Sequence, residues 1–180
     1  MTYKKKISDR GFKMMQALYG FTDAMFPYVT ARAKSFGVAP GMTVVDYGCG
    51  PGRYTVEFAK LVGAEGRVYA IDIIEIAIRE TEKRLELNNI TGKNIVVKLV
   101  DGYESGLPTG TADIVCAVDM FHHVDPAPFL KEAHRIAKRY GVLIISGGHQ
   151  SRKSIKKLVG ASGLWKLAPR RSRFLTFQKI

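Results

Sequence analysis

The stretch Val44-Val45-Asp46-Tyr47-Gly48-Cys49-Gly50-Pro51-Gly52 limits the possible folds of this chain more than any other. Its two adjacent valines favour a buried strand, because β-branched side chains pack well on a pleated surface. An acid and three alternating glycines then predict a tight loop whose backbone a ligand can approach without meeting a Cβ. A helical run follows from Tyr54 to Leu61. Because the first N–H groups of a helix attract polar ligands, the segment predicts a cradle for a nucleotide-sized molecule.

The spacing of the glycines bears on the kind of nucleotide that would fit. A dinucleotide-binding fingerprint has glycines at its first, third and sixth positions. Here Gly48, Gly50 and Gly52 occupy the first, third and fifth positions, and Arg53 stands at the sixth. An ordinary glycine-rich turn between a strand and a helix would show the same spacing. The interpretation therefore depends on the sequence that follows.

Further strands are predicted downstream, and most of them end at an acid. They cover residues 68–71, 95–100, 113–118 and 142–146. Asp72 lies 20 residues after Gly52, where an acid can accept hydrogen bonds from both hydroxyls of a ribose. Capping of a helix N-terminus is the alternative role for such an aspartate. Asp101 and Asp119 end the next two strands, so we expect these acids and the glycine loop to share the ligand-binding edge of a parallel sheet.

Helices are predicted at residues 22–36, 75–88, 126–139 and 152–161. In the third of these, Asp125 can cap the N-terminus and Pro126 suits the first helical position. Residues 164–169 and 173–179, joined by a turn at 169–171, predict a terminal β-hairpin. We divide the chain, which is one domain by length, into a basic arm and helical lid (residues 1–36) and a ligand-binding α/β part (residues 37–180).

The chain resembles the class I S-adenosylmethionine (SAM) methyltransferases, whose first motif is Asp/Glu-x-Gly-x-Gly-x-Gly. The resemblance is carried by VVDYGCGPGRYT, VYAIDI, VDGYESGLP, ADIVCAVDMFHHV and EAHRIAKRYGVLIIS, and it is closest to small-molecule enzymes of the ubiquinone and menaquinone biosynthesis group. It implies an α/β fold: a Rossmann-like, seven-stranded, mostly parallel sheet with helices on both faces and a C-terminal antiparallel hairpin. One departure is Arg139-Tyr140-Gly141, which stands where the family usually has a Pro-Gly-Gly turn before strand five.

The resemblance also implies where SAM would bind. The implied residues lie in the glycine loop or just after a strand: Asp46, Gly48, Gly50, Gly52, Asp72, Ile73, Asp101, Gly102 and Asp119. The three loop glycines would border the methionine moiety, and Asp119 would face its amino-acid end. Asp72 would hold the ribose, and Ile73 would lie against the adenine. Asp101, with Gly102 beside it, would accept a hydrogen bond from the adenine amino group.

Catalytic residues are harder to assign, because SAM itself carries the activated methyl group and the protein mainly binds and orients. A general base is needed chiefly for hydroxyl or protonated-amine acceptors. His122 and His123 follow strand four, and a histidine could deprotonate a phenol or an enol there. A structural contact between this loop and the helix 126–139 is the alternative. Five residues of the lid either suit a small apolar or aromatic acceptor, or pack the first helix onto the sheet, or do both: Tyr19, Phe21, Met25, Phe26 and Tyr28.

The net charge of +12 is unevenly distributed. Residues 151–180 contain nine lysines and arginines and no acid. Around 152–157, the cations crowd one helical face, whereas Ile155, Leu158 and Val159 form the other. This basic C-terminal region is either a solvated face or a patch for an anionic partner, namely nucleic acid, a membrane surface or an acidic substrate.

Other classes of site and location are disfavoured by composition. Cys49 and Cys116 are interpreted as small buried thiols, and no Cys/His spacing resembles a metal site. No run is apolar and long enough for a membrane span, and the N-terminus lacks the apolar run of a signal peptide. These features favour a cytoplasmic protein.

Four functions remain open at this level. The first is methyl transfer from SAM to a small-molecule acceptor. The second is an RNA or protein methyltransferase that uses the basic C-terminal surface. An NAD-dependent oxidoreductase is the third, weakened by Arg53 at the sixth fingerprint position. A non-catalytic binding module on the same fold is the fourth.

Overall fold

The computed structural model describes residues 11, 14, 28–169 and 174–180, and its centre is a sheet of seven strands. These are β1 (Thr43–Tyr47), β2 (Arg67–Asp72), β3 (Ile95–Leu99), β4 (Ala112–Ala117), β5 (Ala137–Ile145), β6 (Trp165–Leu167) and β7 (Leu175–Lys179). Their order across the sheet is β3-β2-β1-β4-β5-β7-β6. The first five strands pair in parallel, and β7 runs antiparallel to β5 and β6. The predicted fold class is confirmed.

Five α-helices lie in the described part of the chain: α1 (Tyr28–Ser35), α2 (Arg53–Val62), α3 (Glu75–Leu87), α4 (Pro126–Ile136) and α5 (Arg152–Ala161). The predicted bounds of α2, α3 and α5 agree with the structure to within one residue. As predicted, Asp125 caps α4, since its Oδ1 accepts the N–H of Ala127 at 3.1 Å. The first residues of the predicted helix 22–36, the basic arm apart from residues 11 and 14, and residues 170–171 of the predicted turn 169–171 lie outside the described residues. None of the described helices meets the length and hydropathy that a membrane crossing requires.

The alternation of side chains along β1 divides the core between the two faces of the sheet. Val44 packs into a cluster with Phe36 of the α1 end and Phe58 of α2, whereas Val45 joins a second cluster with Phe129 of α4 and Ile155 of α5. Helices α1 and α2 therefore cover one face, and α4 and α5 cover the other. The glycine loop, between β1 and α2, lies at the carboxyl edge of the sheet where it can face a ligand.

The boundary between α4 and β5 differs from the sequence prediction. The helix ends at Ile136 rather than at 139, and β5 begins at once, so residues 139–141 form no separate turn before the strand. Ala112 pairs with Ala137 and Ile114 with Val142, so β5 bulges outward by three extra residues. Two side chains fix this geometry: the Nζ of Lys138 donates to Asp113 at 2.7 Å, and the Nζ of Lys179 donates to the carbonyl of Ala137 at 2.8 Å.

No helix connects β3 to β4, although helices connect the other parallel strands. The connection, residues 100–111, is held instead by the carboxylate of Glu132 on α4, which is 7% exposed. Glu132 Oε1 accepts the backbone N–H of Ser105 at 2.9 Å, and Arg135 donates to both carboxylate oxygens at 2.7 Å. Burial would raise the pKa of Glu132, but the hydrogen bonds from Arg135 and Ser105 outweigh it and hold this pKa below its usual value.

We expect Glu132→Gln to lower the free energy of unfolding at pH 7 by about 1.5–3 kcal/mol, because two charge-assisted hydrogen bonds lose their charge. The depressed pKa stabilises the fold above the pKa of the unfolded chain, and this stabilisation is lost as the pH falls through the folded value. The difference between variant and parent should therefore shrink below about pH 4.5. Urea unfolding at pH 7 and pH 4 measures it. Glu86→Gln, at an exposed glutamate of α3, is the control, and equal stability of E132Q and parent at pH 7 would contradict the assignment.

Candidate functional site

The sheet register brings the predicted site residues to one edge. Tyr47 of β1 pairs with Ile71, Asp72 with Leu99, and Ala117 with Ile145, so the carboxyl ends of the five parallel strands are level. The glycine loop and the segments that begin at 72, 100, 118 and 146 therefore leave the sheet together. This is the edge at which ligands bind in open parallel sheets.

The three glycines of the loop all adopt the left-handed conformation, with φ of 75° at Gly48, 55° at Gly50 and 72° at Gly52. Their surroundings differ. A Cβ at Gly48 would lie 3.0 Å from Met120, and one at Gly52 would lie 2.9 Å from Thr81. Among the described residues, a Cβ at Gly50 would meet nothing within 4 Å. The outer glycines thus allow close packing within the protein, whereas Gly50 faces open space.

Two side chains hold Gly50 from the neighbouring β2–α3 unit. Its N–H donates to Oδ2 of Asp72 at 2.9 Å, and its carbonyl accepts the hydroxyl of Thr81 at 2.9 Å. The other oxygen of Asp72 accepts the N–H of Ile74 at 3.0 Å. Burial, with 8% of Asp72 exposed, raises the pKa of this carboxyl despite these hydrogen bonds. Sequence reasoning missed Thr81; the signal was a lone hydroxyl on the otherwise apolar buried face of α3.

Asp46 lies beneath the loop and is 2% exposed. Its Oδ2 accepts the hydroxyl of Thr55, a fully buried residue of α2, at 2.6 Å. Burial raises the pKa of Asp46 to about 7, the hydrogen bond from Thr55 opposes this, and the nearby charge of Asp72 adds to it. The pair ties β1 to α2 across the loop. Thr55 was also missed, because nothing local distinguishes it from a threonine on the helix surface.

The start of α2 points its backbone into the same space. Gly52 is the N-cap residue and supplies no side-chain cap, while the backbone N–H of Thr55, in the first turn, hydrogen-bonds to Asp46. Unpaired N–H groups and the partial positive charge of a helix start favour electron-rich atoms of a ligand.

On the far side of the loop, Asp101 and Asp119 are exposed. The N–H of Val100 donates to the carbonyl of Asp72 at 2.9 Å, which holds the end of β3, and therefore Asp101, beside β2. Gly102 after it is buried with φ of 82°, and Ile73 is half-buried. Asp119 has a positive φ of 56°, uncommon for a residue with a side chain, and accepts a hydrogen bond from the hydroxyl of Ser146. All four predicted positions thus follow the ends of β2, β3 and β4.

A cluster of aromatic rings and guanidinium groups borders the start of α2. Arg53 donates to the hydroxyl of Tyr28 on α1, the one predicted lid residue within the described part. The guanidinium of Arg32 lies 5.7 Å from the ring centroid of Tyr54 and 4.7 Å from that of Phe174. The Nε of Arg32 and the hydroxyl of Tyr54 are buried without a hydrogen-bond partner among the described residues. Sequence reasoning used Arg53 only to argue against a dinucleotide site.

Three histidines meet at the same edge. The rings of His122 and His123 have centroids 3.8 Å apart, and His149 approaches His122 edge-on at 5.4 Å. Burial lowers the pKa of His122, and the neighbouring His123 and His149 lower it further. Its Nδ1 is buried without a partner among the described residues, and its ring lies against Gly148, where a Cβ would come within 2.7 Å. No group of His, Cys, Asp and Glu side chains in the described ranges is arranged to hold a metal ion.

Comparisons with known proteins match the chain over most of its length. The family described as "Methyltransferase domain" matches residues 39–166. The 2-methyl-6-phytyl-1,4-hydroquinone methyltransferase of Synechocystis is 30% identical over 136 residues, which are 72% of this chain and 40% of that protein. The ubiquinone/menaquinone biosynthesis C-methyltransferase UbiE of Hydrogenovibrio crunogenus is 33% identical over 110 residues, 61% of this chain and 43% of that protein. The chain thus matches less than half the length of these relatives.

Among solved structures, a SAM-dependent methyltransferase from Aquifex aeolicus superposes with a TM-score of 0.72 at 26% identity. The match covers 82% of this chain and 87% of the Aquifex chain. The family match at residues 39–166 includes the carboxyl ends of the five parallel strands.

We expect Asp46→Asn to change how stability depends on pH. The pKa of Asp46 is raised from 3.8 to about 7, so its contribution to stability is fully present below pH 3.8 and is lost as the pH rises through about 7. The Asn variant lacks this loss, so it should gain stability relative to the parent between pH 5 and pH 8. Urea unfolding across that range measures the effect, with the exposed Asp101→Asn as control. If the free energies of unfolding of the parent and D46N depend on pH in the same way, the raised pKa of Asp46 is refuted.

Proposed function

Because this chain belongs to the methyltransferase domain family, in its class I SAM-dependent branch, we propose that it transfers a methyl group from SAM to a small-molecule acceptor by in-line displacement. One observation carries the proposal. Within the described part of the chain, no atom lies against the Cβ position of Gly50 at the ligand edge, while Asp72 and Thr81 hold its peptide groups from behind. The loop is therefore fixed in a shape that leaves its outer side free for a ligand.

The residues present fit SAM. Bound SAM supplies a methyl group on a sulfonium, which is already an activated leaving group, so the protein has mainly to bind and orient the reactants. Gly50 leaves room at the loop for the methionine part. Asp72 accepts hydrogen bonds from the backbone of Gly50, Ile73 and Ile74, and a carboxylate has about four acceptor sites, so a further site is left for the ribose. We assign Ile73 to the adenine face, and Asp101 with Gly102 to the adenine edge.

The remaining predicted residues have different roles. Asp46, buried on Thr55, positions the loop instead of contacting the cofactor, and Gly48 and Gly52 permit its close packing. Asp119 faces the amino-acid end. Arg32, Arg53 and Tyr28 lie beside the start of α2, and we assign this cationic cluster to the carboxylate of that end.

The acceptor is proposed to be a small aromatic molecule. The curated relatives named above act in hydroquinone methylation or in ubiquinone and menaquinone biosynthesis, which supports such an acceptor. His122 suits the removal of a proton from a hydroxyl, because its lowered pKa keeps the imidazole neutral near pH 7 and its Nδ1 has no partner among the described residues. We assign His123, which is exposed beside it, to the same site. The packing of His122 on Gly148 also fits the structural alternative.

Thermal unfolding with SAM, S-adenosylhomocysteine and NAD, each in a separate sample, tests the cofactor. A ligand at about 100 times its dissociation constant adds about 2.7 kcal/mol, which raises the Tm of a chain of this size by about 5–10 °C. We expect this rise with SAM and S-adenosylhomocysteine and none with NAD. A rise with NAD alone would replace the proposal with an oxidoreductase, and no rise with any ligand would favour a binding module that has kept only the fold.

Gly50→Val should abolish the rise in Tm with SAM, because its side chain would fill the open side of the loop. Gly63→Val is the matched control: Gly63 is also left-handed, with φ of 67°, has nothing within 4 Å of its Cβ position, and lies at the far end of α2. Both variants place a β-branched side chain at a positive φ, so the Tm without ligand should fall in both. A G50V protein that still binds SAM like G63V would refute the proposed loop contact.

Asp72→Asn should weaken SAM binding by on the order of tenfold or more, because a charged acceptor is lost. Isothermal titration calorimetry measures the affinity, and Asp113→Asn, at the opposite edge of the sheet, is the control. Thr81→Val removes the other hydrogen bond to the loop. If Asp72 only positions the loop, T81V and D72N should weaken binding equally; a larger loss in D72N supports direct contact with the ribose.

A further inference from the structure

The net positive charge of this chain equals that of its C-terminal part. Residues 133–180 contain 12 lysines and arginines and no aspartate or glutamate. Residues 1–132 contain 16 basic residues (lysine or arginine) and 16 acidic residues (aspartate or glutamate). The first 132 residues are thus neutral overall, and the whole net charge of +12 belongs to the last 48. Such segregation sets up a strong field on one side of the molecule.

Helix α5 presents part of this charge as a continuous surface. Its inner face is fixed by Ile155 and Val159, both fully buried in the core cluster of α4 and the sheet. Its outer surface, the basic face, consists of four exposed residues: Arg152, Lys153, Lys156 and Lys157. They form two rows along successive turns, with about 6 Å of rise from each residue to the one four positions on.

Nothing in the described part of the chain neutralises the lysines of the basic face. The ion pairs formed by the described residues include Lys60, Arg79, Arg135 and Lys138, all elsewhere in the fold. Like charges four residues apart repel, and cations in a first helical turn oppose the helix dipole. The basic face therefore lowers the stability of α5, and a bound polyanion would relieve both effects.

The surface chemistry separates three classes of anionic partner. An interfacial membrane helix needs an apolar face to bury in lipid, but the apolar face of α5 is already buried in the protein. Protein interfaces are centred on aromatic or aliphatic anchors, whereas the outer residues of α5 are cationic or small. Binding of a nucleic-acid phosphate backbone requires only a row of cationic side chains.

We propose that the basic face of α5 binds the phosphodiester backbone of a nucleic acid. The binding adds to the methyl transfer proposed above and does not depend on it.

The basic face also lies close to the candidate site. Helix α5 begins at Arg152, three residues after His149, whose ring meets that of His122 at the ligand edge. A strand held along α5 would therefore pass beside the cofactor site.

The test is fluorescence anisotropy with labelled RNA and DNA strands of about 20 nucleotides and one sequence, each also as a duplex, without SAM. The first variant is Lys153→Glu/Lys156→Glu/Lys157→Glu. The matched control is Lys83→Glu/Lys93→Glu/Lys131→Glu, which reverses three exposed lysines on other parts of the surface. Both variants have a net charge of +6 instead of +12, so they separate a local site from general attraction. The neutral variant Lys153→Gln/Lys156→Gln/Lys157→Gln serves if the reversal perturbs folding.

We expect the parent to bind with an affinity that falls steeply between about 50 and about 200 mM salt. The variant at the basic face should lose on the order of tenfold or more, and the slope of log affinity against log salt should fall by about 2 for a single strand. The control should stay within a factor of about three. The RNA and DNA arms show which nucleic acid is preferred.

Three results would overturn the proposal: an equal loss in both charge-reversal variants, binding by the parent that neither variant changes, and no binding by the parent. Vesicles of phosphatidylcholine with phosphatidylserine form a parallel arm. Capture by these vesicles without binding to either nucleic acid would assign the basic face to a membrane surface instead. Because no assay contains SAM, failure here leaves the cofactor proposal intact, and failure of the thermal test leaves this result standing.

Discussion

The hydrogen bond from the N–H of Gly50 to the carboxylate of Asp72 is the interaction on which the candidate site depends. It crosses from the β1–α2 unit to the end of β2 and holds the loop in a conformation that only glycine adopts easily. Thr81 holds the other side of the same residue. With the N–H and the carbonyl of Gly50 both satisfied inside the protein, the outer surface of the loop is shaped before any ligand arrives, which lowers the ordering entropy that binding must overcome.

The acids at this edge differ in burial, and burial separates their roles. Asp46 and Asp72 are enclosed and join secondary structure elements, and their raised pKa values show that enclosure disfavours their charge. Asp101 and Asp119 are exposed at the ends of the neighbouring strands. A polar molecule bound at this edge would thus lie above the buried carboxyl groups of Asp46 and Asp72 and beside the exposed carboxylates of Asp101 and Asp119.

Local signals in the sequence predicted much of this arrangement, because several parts of the fold have characteristic short sequence patterns. The glycine loop, the strand-end acids and the apolar face of α5 could each be recognised from a few neighbouring residues. The start of β5 could not, since its bulge depends on pairing with Ala112 and on the contact of Lys138 with Asp113 across the sheet. The partners of Thr55 and Thr81 were missed because folding brings them together: Asp46 lies nine residues before Thr55 on another element, and Gly50 lies 31 residues before Thr81.

The uneven distribution of charge along the chain affects the orientation in which the molecule approaches a charged partner. A particle that is neutral over most of its length and strongly positive over the remainder carries a large electric dipole moment. In the field of any extended anion it would rotate during approach, before contact is made, and would arrive with its positive part leading. The start of α5 belongs to both the positive part and the ligand edge, so most encounters would begin in an orientation that a neutral protein reaches only by chance.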